Sequence, residues 1–252
     1  MIETDAKNFS DAAIHPAASK AASIPRHICI AMDGNRRWAK LNKKPVRYGH
    51  LQGAEAAIEI VRSARDLGIH TITLYAFSTE NWKRSPKEIR SLMSIFRLYL
   101  YRMKKDMLQL GIRFHTIGDL SPFTSSFQKA VEEVKIKTAD CKAMNLVLAL
   151  NYGGRDEIRR AALRMAQDYR EGKIEKENFT EDFFRSYLDT SNLEDPDLFI
   201  RTSGEQRISN FLLWQISYSE LYITDTLWPD FTKRHLIQAI DHYQYRERRL
   251  GS

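Results

Sequence analysis

A short apolar run that stops at a carboxylate is the feature that most constrains this chain. Residues 28–32, ICIAM, are all apolar, and Asp33, Gly34 and Asn35 follow them directly. Such a run is typical of a strand buried on both faces, as found in parallel sheets. Ligands of open parallel sheets bind beyond the carboxyl ends of the strands. The pattern therefore predicts an α/β fold with a functional site after residue 32.

Three cations, Arg36, Arg37 and Lys40, come directly after this turn. One carboxylate facing several cations is typical of a site for an anionic ligand bridged by Mg²⁺, because Mg²⁺ usually takes one or two carboxylates together with phosphate oxygens. An ordinary surface turn followed by a solvated basic helix would give the same local pattern. This segment alone leaves both interpretations open.

Composition narrows the class of protein. A chain of 252 residues that is 43% hydrophobic is long enough for one large α/β domain, which we favour over two small ones. The 39 Lys and Arg against 32 Asp and Glu give a formal charge of +7, which suits a phosphate, a nucleic acid or an acidic membrane surface. Cys29 and Cys141 lie in or beside apolar runs, as expected for thiols of a reduced cytosolic protein. The sequence has no signal-peptide pattern and no run of 18 apolar residues. It is therefore predicted to be neither secreted nor membrane-spanning.

The order of elements predicts where polar residues meet. Residues 1–25 lack periodicity and are predicted to be a mobile extension before a single domain, 26–252. A basic loop, 41–48, a helix over 50–67 and a strand over 70–77 follow the first strand. This βαβ unit makes the two strands parallel, so residues beyond both strands, including Asp33 and Asn81, face one cleft.

Predicted strands and helices continue to alternate along the rest of the chain. We predict strands at 112–117, 144–150, 197–200 and 219–224, and helices at 86–110, 121–137, 156–171 and from about 231 to 249. The apolar arc of helix 86–110 is wider than one packing face requires, as in a core helix that also meets a partner or one that lines an apolar ligand cavity. Gly153 and Gly154 predict a tight turn, with close backbone approach as the alternative.

The segment after residue 200 combines Arg201 and Arg207 with the hydroxyls of Thr202, Ser203 and Ser209. Guanidinium groups match phosphate oxygens in geometry and charge. Because this segment follows a predicted parallel strand, it predicts a pyrophosphate site at the same edge of the sheet as Asp33.

Eight blocks in this order resemble the cis-prenyltransferases: MDGNRRWA (32–39), YGH (48–50), YAFSTENWKR (75–84), IGD (117–119), NYGGR (151–155), IRTSGEQRISNFLLWQ (200–215), SELY (219–222) and WPDF (228–231). The resemblance runs from residue 25 to the C-terminus. It implies a single α/β domain with a twisted, parallel six-stranded sheet wrapped by helices, a hydrophobic tunnel and a homodimer.

The implied reaction is Mg²⁺-dependent condensation of isopentenyl diphosphate onto an allylic primer such as farnesyl diphosphate, forming cis double bonds. The product would be a long-chain polyprenyl diphosphate, the precursor of a lipid carrier for cell-wall glycan synthesis. The resemblance further implies a cytoplasmic enzyme that contacts the inner membrane peripherally for product release and binds no nucleic acid.

The resemblance also assigns roles to residues. Asp33 corresponds to the catalytic carboxylate that works with Mg²⁺, Asn81 to the residue that positions the proton acceptor, and Glu220 to a second metal carboxylate. The expected substrate-binding residues are Gly34, Asn35, Arg36, Arg37, Trp38, Arg47, His50, Ser78, Thr79, Glu80, Trp82, Arg84, Arg201, Arg207 and Ser209.

Three positions depart from the family pattern. Arg36 stands where Gly is usual, so either this residue tolerates the required φ angle or the turn is reshaped. Arg47 lies one residue closer to the Gly-His pair than the usual arginine, and Gln206 replaces a common His. None of the three touches Asp33, Asn81 or Glu220 in the sequence.

Most alternative functions require sequence motifs that this chain lacks. A phosphohydrolase or phosphotransferase with an aspartate nucleophile normally needs a second acid nearby, and Asn35 occupies that place. A trans-prenyltransferase needs two DDxxD motifs, and this chain has none; Walker A and dinucleotide-binding glycine patterns are absent as well. A non-enzymatic basic module remains, either a nucleic-acid binder or a silent accessory relative. Silent relatives lack parts of the Asp and Asn-Trp-Arg constellation, which this chain retains.

Overall fold

A computed structural model describes residues 24–246, in which all six strands form one parallel sheet ordered β3-β4-β2-β1-β5-β6. The predicted extension falls almost entirely outside the described residues. The strands are β1 His27–Ala31, β2 Thr71–Ser78, β3 Ile112–Ile117, β4 Met144–Tyr152, β5 Leu198–Arg201 and β6 Glu220–Ile223. The helices are α1 Asn35–Leu41, α2 Val46–Asp66, α3 Pro86–Leu110, α4 Ser125–Lys137, α5 Gly154–Arg170, α6 Glu181–Arg185 and α7 Lys233–Gln244. The predicted six-stranded parallel α/β domain is confirmed.

Strand β1 occupies the position in the sheet where the chain reverses its direction of winding. It pairs with β2 on one side and β5 on the other, and all five of its residues are buried. Helices α1 and α2 connect β1 to β2, whereas the chain reaches β5 only after α5 and α6. The crevice between the carboxyl ends of β1 and β5 is therefore a topological switch point, where ligands of such sheets bind.

Alternating residues of the strands build two apolar layers. Ile28, Ile30 and Ile72 pack with apolar residues of α2, α3, α4 and α7 on one face of the sheet. Cys29 and Phe199 pack on the other face, against the segment that follows β5. This division follows from the two-residue period of a strand, and it explains why the run 28–32 is apolar throughout.

The bounds of α3 agree with those predicted from the sequence. Ser85 caps the helix by accepting a hydrogen bond from the Glu88 backbone N–H at 3.3 Å, and Pro86 occupies the first turn. Gly111 ends the helix with a φ of +68°, a conformation that glycine adopts without a Cβ penalty. None of the helices in residues 24–246 combines the length and apolar composition needed to cross a membrane.

Some boundaries differ from the prediction. Part of the expected basic loop 41–48 is helical: α1 extends to Leu41, and α2 begins at Val46. The first residues of α2 are exposed and show no apolar period, so the sequence pattern did not reveal this start. Helix α4 begins at Ser125 rather than 121, after the turn that contains Pro122. Helix α7 ends at Gln244, and the predicted continuation beyond residue 246 lies outside the described residues.

Candidate active site

Asp33 and Arg201 form the centre of the polar edge of the sheet. Arg201 Nη2 donates to Asp33 Oδ2 at 3.0 Å, and its Nη1 donates to Ser209 Oγ at 2.7 Å and to the Arg207 carbonyl. The Arg201 side chain is 5% exposed, whereas that of Asp33 is 41% exposed. The buried guanidinium thus holds a carboxylate that still has access to solvent, at the switch point between β1 and β5.

The backbone around Asp33 is fixed by Thr202. The Asp33 N–H donates to Thr202 Oγ1 at 2.9 Å, and the Thr202 hydroxyl donates to the Asp33 carbonyl at 2.7 Å. The next residue, Gly34, has a φ of +111° and donates its N–H to Asp33 Oδ1 at 2.7 Å. A Cβ at Gly34 would lie 3.0–3.1 Å from Leu227. Glycine is therefore required here, and the carboxylate is held in one orientation.

The segment after β5 contains several residues in the left-handed region. The φ angles of Ser203, Ser209, Asn210 and Leu212 are +74°, +50°, +63° and +47°. For residues other than glycine such conformations cost on the order of 1–3 kcal/mol each, and they persist only where surrounding contacts impose them. Strain of this kind concentrates at functional sites.

Asn210 supplies many of those contacts. Its carbonyl accepts the Gly154 N–H at 2.7 Å, its Oδ1 accepts the Arg155 N–H at 2.9 Å, and its Nδ2 donates to Glu80 at 2.9 Å. A Cβ on Gly153 would lie 2.7 Å from Asn210 Nδ2, and one on Gly154 would lie 2.7 Å from Leu213 Cγ. The glycine pair thus permits close approach of the segment after β5. The pair also forms the expected tight turn, since β4 ends at Tyr152 and α5 begins at Gly154.

Two carboxylates on this edge are held in their charged form. Arg37 and Arg207 both contact Glu205, at 2.7 and 2.5 Å, and keep the pKa of Glu205 below its usual range. Burial acts to raise the pKa of Glu80, but the hydrogen bond from Asn210 and neighbouring donors outweigh it, so this pKa is also lowered.

The residues after β2 form a 3₁₀ turn, Thr79–Lys83, that presents Asn81. Ser78 and Asn81 hydrogen-bond each other's backbone, with Asn81 Oδ1 accepting the Ser78 N–H at 3.2 Å. Trp82 packs on Phe77 and donates its indole N–H to Asn151 at 2.7 Å. Asn81 is therefore presented by a turn that is closed by its own side chain.

Glu88, at the start of α3, gathers three cationic or titratable side chains. Its Oε1 lies 3.2 Å from Arg84 Nη1, 3.5 Å from His50 Nε2 and 4.0 Å from Arg36 Nε. Burial and the nearby Arg84 charge keep the pKa of His50 below its usual range. His50 is accordingly neutral near pH 7, and the two arginines carry the positive charge of this group.

Two hollows meet at Asp33. An apolar cavity of about 450 Å³ extends from the sheet edge beneath α3 to Met107, Phe114 and Val131. A more open, polar hollow of about 480 Å³ lies over the carboxyl ends of the strands, lined by Ser78, Glu80, Arg201, Ser209 and Asn210 among others. The residues that line both are Met32, Asp33, Tyr75, Asn81 and Arg84.

Comparison with known proteins identifies this arrangement. Residues 31–251 match the family of prenyltransferases described as undecaprenyl diphosphate synthase. The chain belongs to this prenyltransferase family. The match takes in every residue that lines the two hollows.

Individual relatives agree with the family match. An isoprenyl transferase of Chlamydia caviae is 47% identical over 91% of this chain and 93% of its own length. The (2E,6E)-farnesyl-diphosphate-specific ditrans,polycis-undecaprenyl-diphosphate synthase of Micrococcus luteus is 46% identical over 92% of this chain and 93% of its own. Lavandulyl diphosphate synthase from Lavandula x intermedia, solved with dimethylallyl diphosphate, superposes with a TM-score of 0.89 at 36% identity, covering 91% of this chain and 99% of that structure.

The structure of this prenyltransferase brings most predicted site residues together. Gly34, Asn35, Arg36, Arg37 and His50 line the mouth of the apolar cavity. Arg36 lies within α1 and is not among the residues with positive φ, so its backbone is not strained at the position where the family pattern has glycine. Arg201 lines the polar hollow, but its guanidinium is engaged with Asp33 and Ser209 rather than free.

Other predicted residues lie outside both hollows. Trp38 donates to Asp230 at 2.7 Å and stacks on Tyr48, and Arg47 is exposed in the first turn of α2. Thr79 and Trp82 contribute to the 3₁₀ turn rather than to either lining. Arg207 is 65% exposed at the rim, where it pairs with Glu205. These residues support the site from its edges.

Glu220 is not near Asp33 within one chain. It is the first residue of β6 and pairs in register with Leu198, which pairs with Ile28 at the start of β1. Asp33 lies five positions further along, a distance of about 16 Å at 3.3 Å per residue, in addition to two strand spacings. Glu220 instead pairs with Arg246 at 3.0 Å. Within one chain Glu220 therefore lies far from Asp33, and its assignment as a second metal carboxylate stays a prediction.

Two residues that build the site were not predicted. Asn210 falls inside the block that carries the family resemblance, so a signal for it was present in the sequence. Glu88 gave no local signal, because it sits in the first turn of a helix where acids are common for reasons of helix capping and dipole. Its role becomes visible only when α2 and α3 are packed together.

The carboxylates present fit a Mg²⁺ ion that is shared with a diphosphate. No group of three His, Cys, Asp or Glu side chains positioned to hold a metal occurs within residues 24–246. Mg²⁺ usually keeps several waters and takes one or two carboxylates plus substrate phosphates, so it does not require such a group. Asp33, half-exposed beside the mouth of the cavity, offers the one carboxylate that this mode of binding needs.

Proposed function

We propose that this prenyltransferase condenses isopentenyl diphosphate units onto an allylic primer, farnesyl diphosphate, in a Mg²⁺-dependent reaction that forms cis double bonds. One observation carries the proposal: Asp33 and Asn81 line both an apolar cavity and a polar hollow. A reaction between one substrate with a long apolar chain and one small diphosphate needs two adjoining sites of these two kinds.

The apolar cavity suits the allylic substrate. Its deep wall is made of strand side chains and of α3 side chains, the latter including Phe96, Leu100 and Met103. These apolar groups match an isoprenoid chain. Arg36, Arg37 and Arg84 at its mouth supply guanidinium donors for the diphosphate. The farnesyl-diphosphate-specific relative from Micrococcus luteus supports farnesyl diphosphate as the primer.

The polar hollow suits isopentenyl diphosphate. Ser78 and Ser209 offer hydroxyls, Arg201 orders the wall, and Arg207 at the rim offers a charge for the diphosphate. An asparagine amide is not a base at neutral pH, so Asn81 orients the proton acceptor, a diphosphate oxygen or a water, instead of taking the proton itself.

The chemistry follows from these positions. The bond between the allylic C1 and its diphosphate oxygen breaks with both electrons leaving on the diphosphate. The terminal alkene carbon of isopentenyl diphosphate forms the new carbon–carbon bond, which leaves positive charge on the other alkene carbon. A proton then passes from the carbon next to that charge to the acceptor that Asn81 orients, and its bonding electrons form the new double bond. Mg²⁺, when bound at Asp33, supplies positive charge for the departing diphosphate. Arg36, Arg37 and Arg84 add preorganised donors where that negative charge develops.

In this proposal, a metal-binding role for Glu220 requires the homodimer. Glu220 lies at the opposite end of the sheet from Asp33 in its own chain. If it contributes to metal binding, it does so at the site of a second copy. The β6 edge strand, where Leu221 is 45% exposed, offers a surface for such a copy.

The proposed product is a long-chain polyprenyl diphosphate, the precursor of the lipid carrier for cell-wall glycan synthesis. We place the enzyme in the cytoplasm, where its charged substrates dissolve, with peripheral contact to the inner membrane that receives the product. In this proposal residues 26–252 form the catalytic domain and residues 1–25 an extension to it. The positive charge of the chain then serves diphosphates and lipid, not nucleic acid.

Incorporation of labelled isopentenyl diphosphate into organic-extractable lipid tests the proposal. The assay uses farnesyl diphosphate as primer, with and without Mg²⁺, followed by chain-length analysis, and dimethylallyl diphosphate in a parallel reaction. We expect Mg²⁺-dependent product near eleven isoprene units with farnesyl diphosphate. Shorter or longer product would retain the reaction but change the proposed product. No product with either primer would contradict the proposal and favour a silent accessory subunit.

A further inference from the structure

The solvent-facing side of α3 carries exposed apolar side chains among cations. Leu98, Tyr101 and Leu108 are 49%, 72% and 45% exposed. Spacings of three and seven residues place these three on one side of a helix. The same side carries exposed basic residues, and we define the outer face of α3 as Arg90, Arg97, Leu98, Tyr101, Lys105 and Leu108.

The charges of this face are unbalanced. Within residues 24–246, Arg90, Arg97 and Lys105 have no ion-pair partner. Where α3 meets α2, by contrast, charges are matched: Arg102 pairs with Glu55 at 2.8 Å, and Asp106 pairs with Arg62. Solvated helix faces usually mix both signs, whereas this face carries only positive charge.

A groove beside this face leads toward the interior. It has a volume of about 580 Å³ and lies between α3 and α4, with Leu98, Tyr101 and Ala130 in its lining. Leu100 and Phe127 line both this groove and the apolar cavity of the active site. The outer face of α3 therefore borders an apolar depression whose inner wall is also the wall of the substrate cavity.

We propose that the outer face of α3 docks this enzyme on an anionic lipid bilayer. Leu98, Tyr101 and Leu108 enter the interface, where a tyrosine keeps its hydroxyl in water while its ring is buried. Arg90, Arg97 and Lys105 meet the acidic headgroups. The proposal rests on the proposed function, because it is the apolar product that requires a bilayer next to the substrate cavity.

Vesicle flotation of the full chain tests this surface. We expect binding to vesicles of phosphatidylglycerol and phosphatidylcholine, weak binding to phosphatidylcholine alone, and loss of binding at high salt, where the Debye length shrinks. The variant Arg90→Glu with Leu108→Ser changes two residues that line neither hollow nor groove. It should lower the vesicle partition coefficient at least about tenfold, since each lost or reversed charge acts in the same direction.

The matched control is Leu163→Ser with Arg170→Glu on α5, two exposed residues on another helix, which should bind vesicles like the unaltered protein. A second variant, Arg97→Glu with Lys105→Glu, repeats the test through charge alone. Equal binding by the α3 variants and the control, or equal binding to both vesicle types, would overturn the proposal. A change of oligomeric state in place of vesicle binding would make this face a contact between copies and equally overturn it.

Condensation activity in detergent separates this proposal from the proposed function. Both α3 variants should retain that activity, which also shows that they are folded. Absence of condensation by the unaltered protein would contradict the proposed function, whatever the vesicles show.

Discussion

The carboxylates of Asp33 and Glu220 each lie at an end of a strand of one parallel sheet, yet their surroundings are opposite. Asp33 follows the carboxyl end of β1, where Arg201, Thr202 and the Gly34 N–H fix its orientation. Glu220 begins β6 at the amino end of an edge strand and pairs with Arg246. The first lies between two hollows, and the second does not line either. Within residues 24–246, Asp33 is therefore the one carboxylate that lines both hollows.

The difference shows how sheet topology selects functional positions. At the carboxyl edge the chain reverses its winding between β1 and β5, which leaves room for loops from both strands to converge. At the amino end of β6, by contrast, Glu220 lines neither of the two hollows. A carboxylate there can serve the reaction only through a second copy, so the two positions make different and testable predictions.

Asp33→Ala should have the largest effect. Loss of this carboxylate should lower turnover at least about 10²-fold, the scale of removing one principal electrostatic group. The measurement is isopentenyl diphosphate incorporation at saturating substrate and Mg²⁺. Because Arg201 is only 5% exposed and would lose its partner, thermal unfolding must be measured alongside. Asp33→Asn, which keeps an acceptor for Arg201, serves as the folded comparison, and near-normal turnover in it would remove Asp33 from the mechanism.

Glu220→Gln should lower turnover by at least about tenfold if Glu220 assists the metal of a partner copy. Glu194→Gln is the matched control, since Glu194 precedes β5 and pairs with Arg26 at 3.0 Å without lining a hollow. Unchanged turnover in Glu220→Gln would end its proposed role.

A mixing experiment sharpens the comparison further. When Asp33→Ala and Glu220→Gln chains are unfolded, mixed and refolded, a shared site predicts recovery of about a quarter of normal activity: half of random dimers are mixed, and each has one intact site. Two residues acting within one chain would give no recovery.

Arg207→Ala should have a moderate effect confined to binding. Arg207 is 65% exposed and contacts Glu205, so its loss should leave unfolding unchanged. Loss of a charge-assisted hydrogen bond to the diphosphate should raise the KM for isopentenyl diphosphate about tenfold, with a smaller effect on kcat. The control is Arg159→Ala, a cation on α5 that is 61% exposed and paired with Asp156. A KM equal to that of the control would remove Arg207 from the diphosphate site.

The fold was predictable because its signals are local. Ser85, Pro86 and Gly111 define the bounds of α3, and the apolar run of β1 defines a strand covered on both faces. The placement of Asp33 and Asn81 at one edge followed from the parallel direction of the two strands in a βαβ unit. These inferences require no knowledge of which strands are neighbours.

The features of the site that could not be predicted depend instead on contacts between residues far apart in the sequence. The position of Glu220 depends on the register of β6 against β5, and the convergence of Glu88 with His50 depends on how α2 packs against α3. Neither is written in any local pattern. The engagement of Arg201 with Asp33 joins residues 168 positions apart, so the sequence predicted a shared edge but not the ion pair between them.

Ala76→Leu should have the smallest effect on rate and act on product length. Ala76 lines the apolar cavity, as do Leu92 and Met107 of α3. Added side-chain volume in this lining shortens the space for the growing chain, and the protein cannot relax freely because interiors are close-packed. Mass spectrometry of the products should reveal shorter chains with nearly normal consumption of the first isopentenyl units. Ala162→Leu on the exposed side of α5 is the control. Identical product lengths in the two variants would mean that this cavity does not hold the growing chain, and Asp33 would then sit beside a pocket for the primer alone.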